Sequence, residues 1–423
     1  MQTLNITKKY ETYSEYKDSS VEWIGKIPKE WEVSSSRGIF NTEKERVGSS
    51  FGDYKILSLT LHGVIPKVLD GSGKNPAEYD TYQVIKKDDL VFCLFDYDVT
   101  PRTIGYVEEN GMLTGAYTRL IPKLETFSKY YYYYFLFLDY KKELLHLCTG
   151  LRNSIPKPLF WSMKSPLPDI KIQEKISKYL DEKIENVDQI IGKKQKQIEL
   201  LKEKRTVVIN KVVTKGIDLK ADFIDSGIDW IGKIPKGWQI IKFKYIAKYK
   251  KGNSPDKFYD IQEVGTLPYL SMEYLRGTSN CTNFVESLNK TISTEEDLIL
   301  LCDGSNAGEF IKSKLGVVSS TASVIKFIKV FNKDYVFYLA KYLEKYLKDQ
   351  TNGMGVPHVD SGILLNLPFL LPSQLEQKEI VSYLDIHVNN YNKAISYVEK
   401  SIELLQEFKF SLISNVVTGK IKV

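Results

Sequence analysis

The chain has 423 residues, 43% of them hydrophobic and 26% charged, a balance that excludes a disordered or low-complexity protein and leaves room for two or three domains with cores. Its net charge of +6, from 59 basic and 53 acidic residues, is compatible with nucleic acid but too small to assign it. Cys93, Cys148, Cys281 and Cys302 form no CxxC pair and read as buried small hydrophobes, and no stretch is long and apolar enough for a membrane span, so a cytoplasmic protein is expected.

Residues 1–20 are a polar N-terminal segment whose start lacks the apolar core of a signal peptide. The block Trp23-Ile24-Gly25-Lys26-Ile27-Pro28-Lys29 follows, with Trp31 just beyond. Across residues 21–168, short β-rich runs bounded by glycine and asparagine turns predict a mixed α/β globule, with strands at Tyr54–Leu59, Asp89–Leu94 and Thr118–Ile121. An aromatic helix is expected at Lys129–Leu145, including the run Tyr130 to Tyr134. Residues 169–217 then predict one long helix, started by Pro168-Asp169 and ended by Val213-Thr214-Lys215-Gly216. Along it Ile176, Leu180, Ile184, Val187, Ile191, Ile198 and Leu201 recur at steps of three and four, with polar Lys194 and Arg205 filling gaps, which is a heptad seam.

After a linker at 218–225 the plan starts again. Trp230-Ile231-Gly232-Lys233-Ile234-Pro235-Lys236 repeats the first block unchanged 207 residues on, and Trp238 answers Trp31. The second globule, 226–372, predicts strands at Pro268–Met272, Asp297–Cys302 and Ala322–Phe327 and a helix at Tyr335–Leu347. A second long helix fills 373–423, with Ile380, Leu384, Val388, Tyr391, Ile395, Ile402 and Leu405 on its seam and Lys409 where the first copy has Arg205. A period of half the chain means two copies of a whole domain with its connector. Each long helix spans roughly 60 Å, too long to bury its stripe inside a small globule, and matched heptads separated by a globule favour an antiparallel pair. The expected fold class is therefore α+β: two similar α/β globules joined and separated by two long antiparallel coiled-coil helices, with a pseudo-two-fold internal repeat. The loops diverge: Arg102-Thr103-Ile104-Gly105 stands where the second copy has Ser305-Asn306-Ala307-Gly308.

Catalytic signatures are missing. There is no phosphate-cradling GxxxxGK[ST], no GxGxxG, no HExxH and no HxE with PCxxC. Of the four histidines, His62 and His358 read as surface turn residues, while His146 and His387 read as structural residues on helix faces. The acidic pairs Asp88-Asp89, Asp96 with Asp98, and Glu295-Glu296-Asp297 read as turn residues ahead of metal ligands. No catalytic residue and no metal site is expected.

The order of a [DE]-W-[IL]-G-x-I-P-x-x-W opening, a variable globule, Leu167-Pro168 or Leu371-Pro372 running into Gln173-Glu174-Lys175-Ile176 or Gln377-Lys378-Glu379-Ile380, and then a repeat of everything, resembles the specificity subunit of type I restriction-modification enzymes. The resemblance covers nearly the whole chain. It implies that each globule is a target recognition domain reading one half of a bipartite double-stranded DNA sequence, and that the helices set the spacing and dock two methyltransferase subunits. It also implies a chain without catalysis or cofactor, adenine methylation from S-adenosylmethionine on the partners, and restriction-motor subunits using ATP and Mg. Asn5-Ile6-Thr7-Lys8 aligns with Val212-Val213-Thr214-Lys215, as if the chain's start supplied the missing tail of the second repeat. The competing readings are a fused methyltransferase or nuclease, against which the missing cofactor loop and missing [DNS]-P-P-[YFW] tetrad stand, and a protein-binding coiled-coil adaptor.

Direct base contacts most often come from arginine to guanine and from Asn or Gln to adenine. The candidate DNA-binding residues are therefore Arg46, Arg102, Thr103, Arg152 and Asn153 in the first globule and Asn253, Arg276, Ser305 and Asn306 in the second, with Lys74, Lys157 and Lys251 for phosphates. For each, an exposed loop or a phosphate contact without sequence information is an equal reading.

Overall fold

The structure, a computed structural model, describes residues 10–67, 79–218, 220–281, 283–327, 331–350 and 357–423. The chain divides into two compact units, residues 1–194 with 400–423, and residues 195–399, so that the division passes within each long helix. Each unit holds one globule and parts of both helices.

In the first unit a four-stranded antiparallel sheet is built from β1 (Phe40–Asn41), β2 (Leu90–Phe92), β3 (Ile104–Tyr106) and β4 (Thr118–Pro122), in the order β1-β4-β2-β3. The second unit repeats this with β5 (Ala247–Lys251), β6 (Leu298–Leu301), β7 (Phe310–Lys312) and β8 (Ala322–Phe327), in the order β5-β8-β6-β7. One helix lies with each sheet: α1 (Ser128–Tyr140) in the first unit and α3 (Lys333–Asp349) in the second, while α2 (Ile170–Lys215) and α4 (Gln374–Val417) are the long helices.

Tyr130, Tyr131, Tyr133 and Tyr134 of α1 are all buried, although an amphipathic helix would hide only one stripe. The reason is that α1 is covered on both sides. Phe40 packs edge-on to Tyr131 on the sheet side, while the Tyr130 hydroxyl donates to the Val417 carbonyl and the Tyr133 hydroxyl to Asp181 on the long helices. Tyr338 repeats the last bond to Asp385 in the second unit. These buried rings are core, which removes them as base-stacking surfaces.

Some local boundaries differ from the sequence expectation. Helix α1 stops at Tyr140, short of Leu145, because Lys142 turns left-handed at φ 51° and its ammonium donates to the Thr100 carbonyl and the Asp139 carboxylate. The strand expected at Pro268–Met272 is Thr266–Leu270, since Ser271 caps a one-turn helix Met272–Arg276 by accepting from Tyr274 N–H. His146 lies in the short 3-10 helix Glu143–Leu147, with its ring against Trp23. Cys93 and Cys302 are buried, whereas Cys148 and Cys281 are half-exposed.

The long helices begin with matched devices. Asp169 accepts from Lys171 N–H, and Ser373 with Glu376 forms a reciprocal capping box at 2.8–3.2 Å. One turn in, Gln173 and Gln377 are both fully buried. Each spends its amide oxygen on the N–H of the residue leading into α1 or α3, Phe127 or Asn332, and its amide nitrogen on a carbonyl just before its own helix, Pro168 or Pro372. A buried polar side chain satisfied in this way ties the globule to the helix start.

Within the first unit Ile176, Leu180 and Ile184 of α2 join one core with Leu412, Ile413, Val416 and Val417 of α4, and Lys409 holds Asp188 at 2.7 Å. Numbers rise along one helix as they fall along the other, so the pair is antiparallel. In the second unit Val212 and Val213 pack with Ile380 and Leu384, and Arg205 donates to Asn392. The two polar pairs are counterparts, since Lys409 and Asn392 lie 204 residues after Arg205 and Asp188. Val187, Ile191 and Ile395 are buried, while Ile198, Leu201, Val388, Tyr391, Ile402 and Leu405 are half-buried.

The repeated tryptophan block is packing. Gly25 (φ +70°) and Gly232 (φ +68°) take the left-handed turn that glycine favours, and each receives a bond from the serine six residues before it, Ser19 or Ser226. Trp31 and Trp238 are buried against the glycine that ends a long helix: Gly419 in the first unit, Gly216 in the second. Both glycines are left-handed, but a Cβ on Gly419 would meet Pro28 at 2.4 Å, against 3.4 Å to Trp238 at Gly216. Gly419→Ala should therefore destabilise the first unit by about 2–3 kcal/mol and Gly216→Ala by about 1 kcal/mol, compared by denaturant melts of the full chain. Equal losses would show that backbone strain alone matters.

The N-terminal segment, from residue 10, lies against the end of α4: Lys422 N–H donates to Glu11, and the Tyr16 hydroxyl to Gly419. The aligned residues Asn5 to Lys8 fall outside the described residues.

Candidate nucleic-acid interface

Six of the twelve candidate residues, Arg152, Asn153, Lys251, Arg276, Ser305 and Asn306, gather where the β2–β3 and β6–β7 connections leave the sheets. In the first globule this connection is pinned by the segment ahead of the short helix Lys157–Ser162, with Ile155 N–H to Leu94, Asp96 N–H to Arg152 and Tyr97 N–H to Asn153. In the second, Val359 N–H bonds Cys302 and Gly304 N–H bonds Pro357, ahead of the short helix Ser361–Asn366. The frame is the same and the side chains are not.

In the first connection Asp96 takes two hydrogen bonds from Arg152, through Nε at 2.9 Å and through Nη2. The guanidinium stands 4.8 Å over the Phe95 ring, which itself stacks on Tyr117, and the arginine side chain remains 65% exposed. The Arg152 bond holds the Asp96 carboxyl below the usual carboxylate range, and Asp96 raises the arginine in return. Asn153 adjoins with φ +40° and is half-exposed.

In the second connection Asp303 is gripped from two sides, by Lys251 Nζ at 2.9 Å and by His358 Nδ1 at 2.5 Å. Partial burial pushes this carboxyl up, but the bonds from Lys251 and His358, with their charges, outweigh it and leave it lowered. The bond from Asp303 raises Lys251. Ser305 and Asn306 are exposed on the same turn. Arg276 reaches this edge through Glu309, at 2.5 Å, and Glu309 is backbone-paired to Leu301.

The remaining described candidates are turned inward, spent on other partners or away from these edges. Thr103 is fully buried, with its hydroxyl and N–H both spent on Asp139, so it offers a duplex no surface in this structure. Arg102 is 17% exposed, between the Tyr132 hydroxyl and Asp139. The physical reason is shared: both flank the start of β3, which faces α1. Asn253 is exposed, but its amide oxygen holds Thr291. Arg46 and Lys157 are exposed, and Lys74 falls outside the described residues.

Asp96, Asp303 and His358 were absent from the sequence candidates as binding residues. The two acids' spacing of 207 residues matches that of the tryptophan block but not the local offset of 208 at which Leu94 and Cys302 accept their equivalent backbone bonds, so the sequence did not mark them as counterparts. Among the described residues no group of three or more His, Cys, Asp or Glu could hold a metal ion, and no helix is long and apolar enough to cross a membrane.

Comparison with known proteins shows what the chain is similar to. Residues 235–403 match the family described as type I restriction modification DNA specificity domain. The chain is 37% identical over 188 residues to the type I restriction enzyme MjaVIII specificity subunit of Methanocaldococcus jannaschii, a match covering 44% of this chain and 43% of that protein. It is 23% identical over 429 residues to the putative type I restriction enzyme MjaX specificity subunit of the same organism, covering 95% and 96%. Among solved structures, a chain described under complex assembly and conformational transition of the type I R-M system aligns with a TM-score of 0.71 at 14% identity, over 92% of this chain and 98% of that one. The HsdS subunit from Thermoanaerobacter tengcongensis aligns at 0.50 and 14% identity, over 93% and 98%.

Proposed function

Because the chain belongs to the family of type I restriction-modification specificity subunits, we propose that it is the DNA-reading subunit of such a complex, without catalysis of its own. Each globule reads one half of a bipartite target, and because the exposed turns of the two globules differ, the two halves differ in sequence. The observation that carries this reading is the pair of equally framed connections holding unlike basic side chains, Arg152 in one and Lys251 with His358 in the other. Exposed side chains that are tethered and aimed are what direct base readout requires.

The long helices set the spacing between half-sites and dock two methyltransferase subunits. Apolar side chains left exposed on them support docking: Leu200 and Leu404 at 48% and 53%, one repeat apart, with Val207 and Ile386 at 57% and 63%. S-adenosylmethionine binds to those partners, ATP and Mg to the restriction-motor subunits, and the complex works in the cytoplasm.

The test is the chain co-expressed with the methyltransferase subunits of its own system, followed by methylation mapping of the host genome. A modified bipartite, asymmetric motif is expected, and it should vanish when the chain is omitted. Methyl incorporation into DNA by the chain alone would favour the fused-enzyme reading instead, and salt-insensitive DNA binding by the complex would count against phosphate contacts.

A further inference from the structure

We propose that Asp96 and Asp303 are the positioning residues of the two base-reading edges: Asp96 aims Arg152 at a guanine in one half-site, and Asp303 aims His358 in the other. The inference rests on the DNA-reading function proposed above and names the edges and side chains that carry it out.

Stability does not account for these contacts. A solvent-exposed pair contributes only about 0–1 kcal/mol, and the basic member of each of these is largely open to solvent, Arg152 65% and His358 56% exposed, over half-exposed acids at 31% and 27%. Yet both globules place an acid in the same connection, and both hold a basic side chain arriving along the same backbone bridge. The acids are not register-matched, since Gly304 rather than Asp303 makes the backbone bond corresponding to that of Asp96. What the two edges share is the chemical arrangement: an acid on the turn, and a basic side chain held across it.

The hydrogen-bond inventory of Arg152 shows what remains free. Asp96 takes Nε–H and one Nη2–H. Nη1 and the second Nη2–H are left side by side, the two-pronged edge that matches guanine O6 and N7. Phe95 beneath the guanidinium sets its plane. An arginine so tethered is pre-oriented, and the neighbouring carboxylate opposes drift toward phosphates. At the second edge His358 gives Nδ1 to Asp303, which leaves Nε2 free, and the exposed Asn306 stands on the same turn. Lys251 shares Asp303 but presents a single compact charge without planar geometry, which suits it to a phosphate. One edge is thus built for guanine, and the other carries a different reader.

The experiment uses the full chain assembled with its methyltransferase subunits, and selection from a randomised duplex DNA library. Arg152→Ala and Arg152→Lys should each relax one G·C position of one half-site by roughly tenfold or more and leave the other half-site unchanged. Asp96→Asn should relax the same position while affinity for non-cognate duplex stays equal or rises, because a repelling charge has gone; a merely structural role would lower both. Asp303→Asn and His358→Ala should alter only the other half-site. Uniform weakening across all sequences by Arg152→Ala, or a motif unmoved by Asp96→Asn and Asp303→Asn, would overturn the inference while leaving the DNA-reading function in place. A wild-type complex that enriched no motif would overturn both.

Discussion

Exchanging residues 226–372 for the corresponding globule of another specificity subunit is expected to replace one half of the methylated motif completely and leave the other half intact. The effect is large because specific over non-specific discrimination by a DNA-reading module is roughly 10³-fold or more. The exchange is structurally reasonable because the globule closes on itself: Gln239–Lys242 pairs antiparallel with Pro368–Leu371, which brings the two ends of the segment together. The donor must bring its own ties to the long helices, equivalent to Tyr338 on Asp385, Trp238 on Glu376 and Asn332 on Gln377. Methylation mapping of the exchanged complex decides the matter. If both half-sites change, the globules do not read independently, and if neither changes, the second globule is not a reader.

Arg119→Met is expected to be the most damaging single substitution in the first globule, at about 3–5 kcal/mol. Arg119 Nε meets Asp89 Oδ2 at 2.6 Å with both side chains only 4% exposed. Burial already pushes the Asp89 carboxyl up, and the bonds from Lys86 N–H and Arg119 hold it back. Removing the arginine leaves that acid buried without its cation. The second globule supplies an internal control. Asp297 repeats the turn bond, accepting from Thr294 N–H, but the strand position facing Ile299, as Arg119 faces Val91, is Val324. The cation nearest Asp297 is Lys326, at 3.9 Å and 58% exposed. Lys326→Met should therefore cost under about 1 kcal/mol. Denaturant melts of the full-length variants give both numbers. Asp89→Asn combined with Arg119→Met should recover most of the loss, and failure to recover would assign the effect to lost arginine packing.

Much of the architecture was legible in the sequence because it is written in local or periodic signals. The heptad seams, the Asp169 and Ser373 caps and the left-handed Gly216 and Gly419 exits depend on a few neighbouring residues, so the long helices could be read nearly to their ends. Strand limits moved by a few residues where a side chain intervened, as with Ser271, whose hydroxyl turned the end of an expected strand into a helix cap.

The candidate interface was legible only in outline. Arg152 was accessible to reasoning as an arginine in a loop, but its partner lies 56 residues away, and His358 lies 55 from Asp303. Nothing in the periodicity of either segment marks those meetings. Thr103, one residue from a candidate arginine, went inward because β3 lies over α1, where Asp139 needed donors.

By itself, then, the sequence determined that the protein is a duplication, where its long helices run, and that the repeated tryptophan block is constant while the loops are not. Identity and spacing along one chain suffice for those statements. Only the tertiary structure decided that four tyrosines of one run are all buried, that the tryptophans close over helix-ending glycines, and that an acid in each strand connection holds a basic side chain across it. Each of those depends on which distant segments the sheets and helix pairs bring within hydrogen-bond or van der Waals reach.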